Sequence, residues 1–228
     1  LTIELPNRPA VPLLTLHGSG SASKGTPVQF TFPSDWLPGT GQYVLKTSSL
    51  PAVSFASRIQ YLLSYPYGCV EQTTSRLFPL LYFNDLVKVA EPSLFGGKAP
   101  DYYIAEGILK LNSMFLPDKS FAYWPGTAES NNWSTIYASH FLSEASKAGY
   151  YVDRKLLEHV YDHREEMAEG KRIRDLTDAH RVYAAYVLAQ AGRLEQRVVT
   201  YLKRLDAAGL GQCSRYQLAG ALAISGNM

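Results

Sequence analysis

Cys69 and Gln72 stand three residues apart in the run Tyr65-Pro66-Tyr67-Gly68-Cys69-Val70-Glu71-Gln72. A thiol and a carboxamide at that spacing can condense with loss of ammonia. The product joins Cys69 Sγ to the Gln72 side-chain carbonyl as an internal thioester, an acyl donor stored in the chain and used once. Such a bond sets three requirements. The two side chains must share one side of a turn or of a first helical turn; Pro66 stiffens the approach, and Gly68 is expected to permit unusual backbone angles. A helix starting at or near Cys69 would also favour its thiolate through the N-terminal dipole. Water must be kept out, and Tyr65 and Tyr67 flank the pair as candidate shields. Release must be triggered from outside, because a permanently open acyl donor would label anything.

The plain alternative is an inert buried cysteine, since free cysteines are often no more than small hydrophobes. Cys-x-Glu-Gln alone is a weak signal, but the run here is several fixed residues longer and opens a helical region. Cys213, in Gly211-Gln212-Cys213-Ser214 ahead of an apolar helix, reads as such a buried hydrophobe. Two cysteines are too few for a disulfide framework, and a bond between them would exclude the thioester.

The elements that must position the pair fall into two grammars. Residues 1–51 read as strands and turns: Leu13 to His17, Pro27 to Phe32 and Tyr43 to Lys46 are β-rich. Gly18-Ser19-Gly20-Ser21 and Leu37-Pro38-Gly39-Thr40-Gly41 lie between them as turn-forming clusters. From about Ala52 the pattern is helical, with Arg58 to Leu63 before the motif, Thr73 to Val89 after it, and Ile104 to Phe115 beyond. Three small-residue-rich segments then resemble one another, each closed by a glycine suited to a left-handed C-terminal position: Gly149, Gly192 and Gly226, 43 and 34 residues apart. More charged segments, Arg154 to Ala168 and Leu194 to Leu205, alternate with them. Apolar helices lining an inner ring with charged ones outside give a mainly α fold, an α/α toroid or an α-solenoid, after a short β-strand segment.

Composition adds bounds. The chain has 228 residues, 46% hydrophobic and 18% charged, with net charge +2 and 16 tyrosines. Nothing in the bulk charge points to nucleic acid, and no apolar run approaches a membrane span. Leu1-Thr2-Ile3-Glu4-Leu5 carries no initiator Met or cleavage site, so a signal peptide or anchor is expected outside this sequence.

The run from Tyr65 to Gln72, continued by Thr73-Thr74-Ser75-Arg76-Leu77, closely resembles the thioester motif of the α2-macroglobulin and complement family, its bacterial branch above all. The resemblance spans essentially the whole chain. It implies that residues 1–51 are the first part of a CUB-like β-sandwich, and residues 52–228 the N-terminal portion of an α/α-toroid thioester domain with an incomplete ring. It implies Cys69 as the thiol, Gln72 as the acyl partner, and Glu71 and Gly68 as supporting residues. The implied activity is single-use covalent inhibition of endopeptidases, without cofactor or metal. Its partners would be target proteases, coupled through lysine amines, and the remaining domains of a parent chain, in a periplasm-facing protein held to the inner membrane as a lipoprotein. Some complement proteins place a histidine that intercepts the thioester and redirects it to hydroxyls. No convincing match exists here: His163 sits in a charged helix, and His159, His163 and His180 read as surface or core residues, so direct reaction with amines is expected.

Other functions need other constellations. A toroid glycosidase would need two carboxylates across the cavity, from Asp101, Glu106, Glu129 or Asp178, none in a recognisable motif. A zinc-dependent, prenyltransferase-like enzyme would need Cys213 and His180 to converge. A cysteine hydrolase would need a histidine on Cys69. A non-reactive module would have no use for both reacting residues.

Overall fold

The computed structural model describes residues 14–33, 36–45, 47, 68–90, 98–171 and 173–226. The chain divides into two compact units, Leu1–Leu45 and Lys46–Met228. The expected segment from Arg58 to Leu63, with Tyr65 and Tyr67, lies outside the described residues.

In the first unit the expected strands do not form among the described residues: Leu14 to His17, Pro27 to Phe32 and Tyr43 to Leu45 carry no ladder. A strand needs a hydrogen-bonding neighbour and a face to bury. Here Leu16, Phe30, Phe32, Val44 and Leu45 are all exposed. The second turn cluster does fold, with Thr40 N–H on the Leu37 carbonyl at 3.2 Å and Gly39 at φ +78°. The other turn falls at Ser23–Thr26, not at Gly18–Ser21. Beside the second turn Tyr43 stacks on Trp36 and meets Phe32 edge-on, with centroids 5.7 and 4.6 Å apart.

The second unit is helical: α1 Val70–Ala90, α2 Pro100–Ser113, α3 Asn132–Lys147, α4 Arg154–Glu169, α5 Asp178–Gln190, α6 Gln196–Leu202 and α7 Gln212–Ile224. Local chemistry fixes their ends. Pro100 opens α2, where its missing N–H costs nothing. The side chains of Asn131, Asp153 and Thr177 cap α3, α4 and α5 by accepting backbone N–H groups of Ser134, Leu156 and His180. Gly149, Gly192 and Gly226 take positive φ, as the repeated closing glycines require, and Gly170 does the same behind α4. Behind Gly149, Gly170 and Gly192 the next N–H reaches back to the carbonyl five residues earlier, as in Tyr150 to Ala145 at 3.0 Å. Inside α1, Pro79 removes one ladder donor, and Phe83 leaves helical geometry one turn later.

The packing order is that of an α/α toroid. Helices α1, α3, α5 and α7 pack successively against one another as an inner row. On the outside α2 lies on α1, α4 on α3 and α5, and α6 on α4 and α7. One core gathers Leu77, Leu80, Ile104, Leu111, Phe121 and Phe141; a second gathers Ile136, Met167, Val182, Leu188, Leu202 and Leu218. Among the described residues no helix is long and apolar enough to cross a membrane.

The charged helix α4 also buries polar groups. His163 is 8% exposed, and burial first, then the adjacent Arg164 guanidinium, pushes its imidazole down to about 4. The neutral ring lies 3.8 Å from Glu166 Oε2, so this is no ion pair. The unfolded chain, with histidine near 6.5, binds more protons than the fold between the two values. The contribution is therefore complete above pH 6.5 and is lost as pH falls from there to about 4. Burial also lowers His140 and His180, which act in the same direction. Urea unfolding between pH 7 and 4 is expected to cost the wild type about 2–3 kcal/mol more than His163→Gln.

Candidate functional site

Helix α1 begins one residue after Cys69, which makes Cys69 its N-cap and Gln72 its third helical residue. The two form a reciprocal pair of hydrogen bonds. Gln72 N–H donates to Cys69 Sγ at 3.4 Å, and Cys69 N–H donates to Gln72 Oε1 at 3.2 Å. This is the capping box of Ser-x-x-Glu helices with cysteine and glutamine in the two roles. Its geometry explains the spacing: a cap side chain and a side chain three residues on are folded against each other by the needs of the helix end itself. It also holds both side chains at one helix end, with the Cys69 N–H already on the carboxamide oxygen. Cys69 is 2% exposed and Gln72 half-buried, so the sulfur is the sheltered half of the pair. Thr74 beneath it is fully buried and donates its hydroxyl to the Val70 carbonyl at 2.8 Å.

Gly68 does not take the unusual backbone angle expected of it. Its φ is not in the left-handed region. The tip of Lys110, from the last turn of α2, lies where a Cβ would stand. That flexible tip can swing aside, so neither backbone angle nor space demands glycine here.

The segment before α3 closes the other side. Phe121 N–H donates to Thr135 Oγ1 at 3.3 Å, and Val70 N–H donates to the Tyr123 carbonyl at 3.1 Å. The Tyr123 hydroxyl then reaches Glu71 Oε2 at 3.5 Å. Negative charge at Cys69, then burial, then the Glu71 carboxylate push the Tyr123 phenol up, holding it in its protonated form. Sequence reasoning missed Tyr123. Its one local signal is the aromatic run Phe121-Ala122-Tyr123-Trp124 ahead of Pro125-Gly126, which says nothing about Cys69.

A family model described as the A-macroglobulin TED domain matches residues 43–164. The chain belongs to that family. The α2-macroglobulin of Escherichia coli K12 is 33% identical over 154 residues, 64% of this chain and 9% of that protein. Native E. coli α2-macroglobulin, solved from domain MG7 to its C-terminus, superposes with a TM-score of 0.66 at 27% identity, over 77% of this chain and 29% of that one. Salmonella α2-macroglobulin reacted with methylamine gives 0.65 at 27%, over 77% and 12%. Trypsin-activated E. coli α2-macroglobulin gives 0.60 at 28%, over 72% and 12%. The chain spans about a tenth of the length of the curated relatives it matches.

The remaining candidates are scattered. His159 stacks on Phe115, His163 is buried in α4, and His180 accepts the Thr177 N–H, so none of them approaches Cys69. Cys213 is exposed, correcting the buried reading: it stands in the first turn of α7, before that helix meets the core. His180 is held in the cap of α5, and among the described residues no three histidine, cysteine or carboxylate side chains gather as metal ligands. Asp101 accepts from Tyr150 and Asp178 from Tyr201, while the Glu129 backbone carbonyl receives Tyr123 N–H. Two of the four carboxylates offered to a glycosidase, Asp101 and Asp178, thus have separate partners, and Glu106 is exposed on α2.

Proposed function

We propose that this chain is the acyl-donating segment of a covalent protease trap, using a thioester between Cys69 and Gln72. The observation that carries the reading is the reciprocal capping pair of Cys69 and Gln72, with the cysteine buried and the glutamine half-buried. Formation needs only the atoms present. Cys69 Sγ adds to the Gln72 side-chain carbonyl carbon, and Oε1 takes the negative charge where the Cys69 N–H already donates at 3.2 Å. The carbon–nitrogen bond breaks, and ammonia leaves with the thiol proton. Use is the reverse substitution, in which an amine takes the acyl group and frees the thiol.

The methylamine-reacted and trypsin-activated relatives support amines as acceptors and proteases as targets. In this reading target lysines couple to Gln72 in a single turnover, so the segment acts as an inhibitor, not an enzyme. Residues 1–51 open a CUB-like sandwich, further domains supply the protease-sensing part, and the protein works in the periplasm from an inner-membrane lipid anchor.

Intact mass of the denatured chain tests the bond. A chain one ammonia lighter than its sequence, restored by methylamine with release of one thiol, is expected. Full sequence mass with Cys69 already titratable overturns the thioester.

A further inference from the structure

We propose that the first two turns of α1 and of α3 form a docking cleft for the acceptor lysine, with Trp133 and Tyr137 against its methylene stem and Glu71 as the counter-charge to its nitrogen. This rests on the thioester reading above and names the amine that such a site prefers. Helix geometry brings the pieces together. Glu71 and Gln72 lie four and three residues before Ser75, so the three side chains share one patch of α1. The Ser75 hydroxyl reaches the Tyr137 hydroxyl at 3.4 Å, which sets the end of that phenol against the patch. Trp133, one turn earlier on α3, lies over Tyr137 with ring centroids 4.9 Å apart.

Two features set this patch apart from ordinary core. The stack continues from Tyr137 to Phe78 and Tyr82, with centroids 5.2 and 6.1 Å apart, so four rings run in one row from α3 onto α1. Both ends of the row face solvent, Trp133 being 41% and Tyr82 55% exposed. Glu71 is half-buried, yet among the described residues it makes no salt bridge, and the Tyr123 hydroxyl that reaches it is neutral. A first-turn glutamate also suits the helix dipole, but that role asks for no aromatic neighbours. A carboxylate without a cation, on a patch walled by an exposed indole, is complementary to a long apolar stem with a positive tip. Lysine is the side chain that combines that shape with a nucleophilic nitrogen. The transfer is the one already described. The neutral nitrogen bonds to the Gln72 carbonyl carbon, the carbon–sulfur bond breaks with its electron pair going to Sγ, and the nitrogen's proton ends on that sulfur. Between bonding and losing its proton the nitrogen is positive again, so the carboxylate favours the adduct as well as the docked ammonium.

The test follows thiol release from the full-length chain with methylamine and with Nα-acetyl-lysine N-methylamide at equal free-amine concentration. The lysine derivative is expected to react about tenfold faster and to saturate, while methylamine stays linear. Its Nε-trimethylated form, a cation with the same stem that cannot attack, should slow the lysine reaction competitively. In Trp133→Ala and in Glu71→Gln the ratio of the two rates should fall towards one. Taking the ratio within each protein cancels any general effect of the substitution on the thioester. Equal wild-type rates without saturation or competition overturn the cleft and leave the thioester standing, and so does a preference that survives both substitutions. Should a variant hold no thioester, competition by the trimethylated form on the wild type decides. Wild type at full sequence mass, with no thiol released by either amine, overturns the thioester reading itself and the cleft with it.

Discussion

Cys69→Ser and Gln72→Glu are each expected to abolish methylamine-dependent thiol release and any covalent protease adduct, while leaving stability within about 0.5 kcal/mol of wild type. The reason is the capping box. Serine is a better helix cap than cysteine, and glutamate at the third position is its usual partner. Both substitutions therefore keep the two hydrogen bonds that now run between Cys69 and Gln72. Each removes one half of the acyl chemistry: serine gives no thioester, and a carboxylate offers no ammonia to expel. Cys69→Ala should differ in the other respect. It also loses the chemistry, but the cap goes with it, at about 0.5–1 kcal/mol. Intact mass, thiol titration and thermal unfolding of the three variants together check this. A large stability loss in Cys69→Ser would show that the sulfur is held by packing and not by the cap.

Much of this was legible in sequence because the signals were local. A closing glycine needs only its own φ, so Gly149 and Gly192 could be read as helix ends without knowledge of the rest. The spacing of Cys69 and Gln72 was legible for the same reason, since a capping box is contained within four residues. What was not legible depended on distant partners. Gly68 lies beside the tip of Lys110, 42 residues away, and Tyr123 meets Glu71 across 52. The β-rich runs around Leu16, Phe30 and Val44 had the composition of strands, but a ladder is a property of two segments, and composition supplies only one. Charge misled in α4. A run reading Asp162-His163-Arg164-Glu165-Glu166 suggests a solvated face, yet helical period carries the buried stripe from Val160 through His163 and Arg164 to Met167.

Arg164 carries the second large effect. It is fully buried, with Nη1 donating to the Thr135 carbonyl at 3.0 Å and to Ser139 Oγ, while Nε and Nη2 have no partner. Burial pushes the guanidinium down to about 9, and Tyr183 and Glu166 offset that only in part. A buried charge with two idle donors is a weak electrostatic contact, and a volume-conserving apolar residue often matches or exceeds it. Arg164→Met is therefore expected to be as stable as wild type or up to about 2 kcal/mol more stable. The Thr135 carbonyl keeps a partner in either case, because the Ser139 hydroxyl donates to it at 2.6 Å. Arg164→Ala should instead lose about 3–5 kcal/mol, since it empties the space between α3 and α4 that the long side chain fills. Urea unfolding of the two variants decides between volume and charge. Equal losses in both would mean that the Nη1 bond to Thr135 is what braces α4 against α3. Thr135 Oγ1 in turn receives Phe121 N–H, so that brace would extend, through Phe121, to the segment whose Tyr123 carbonyl holds the Val70 N–H at the start of α1.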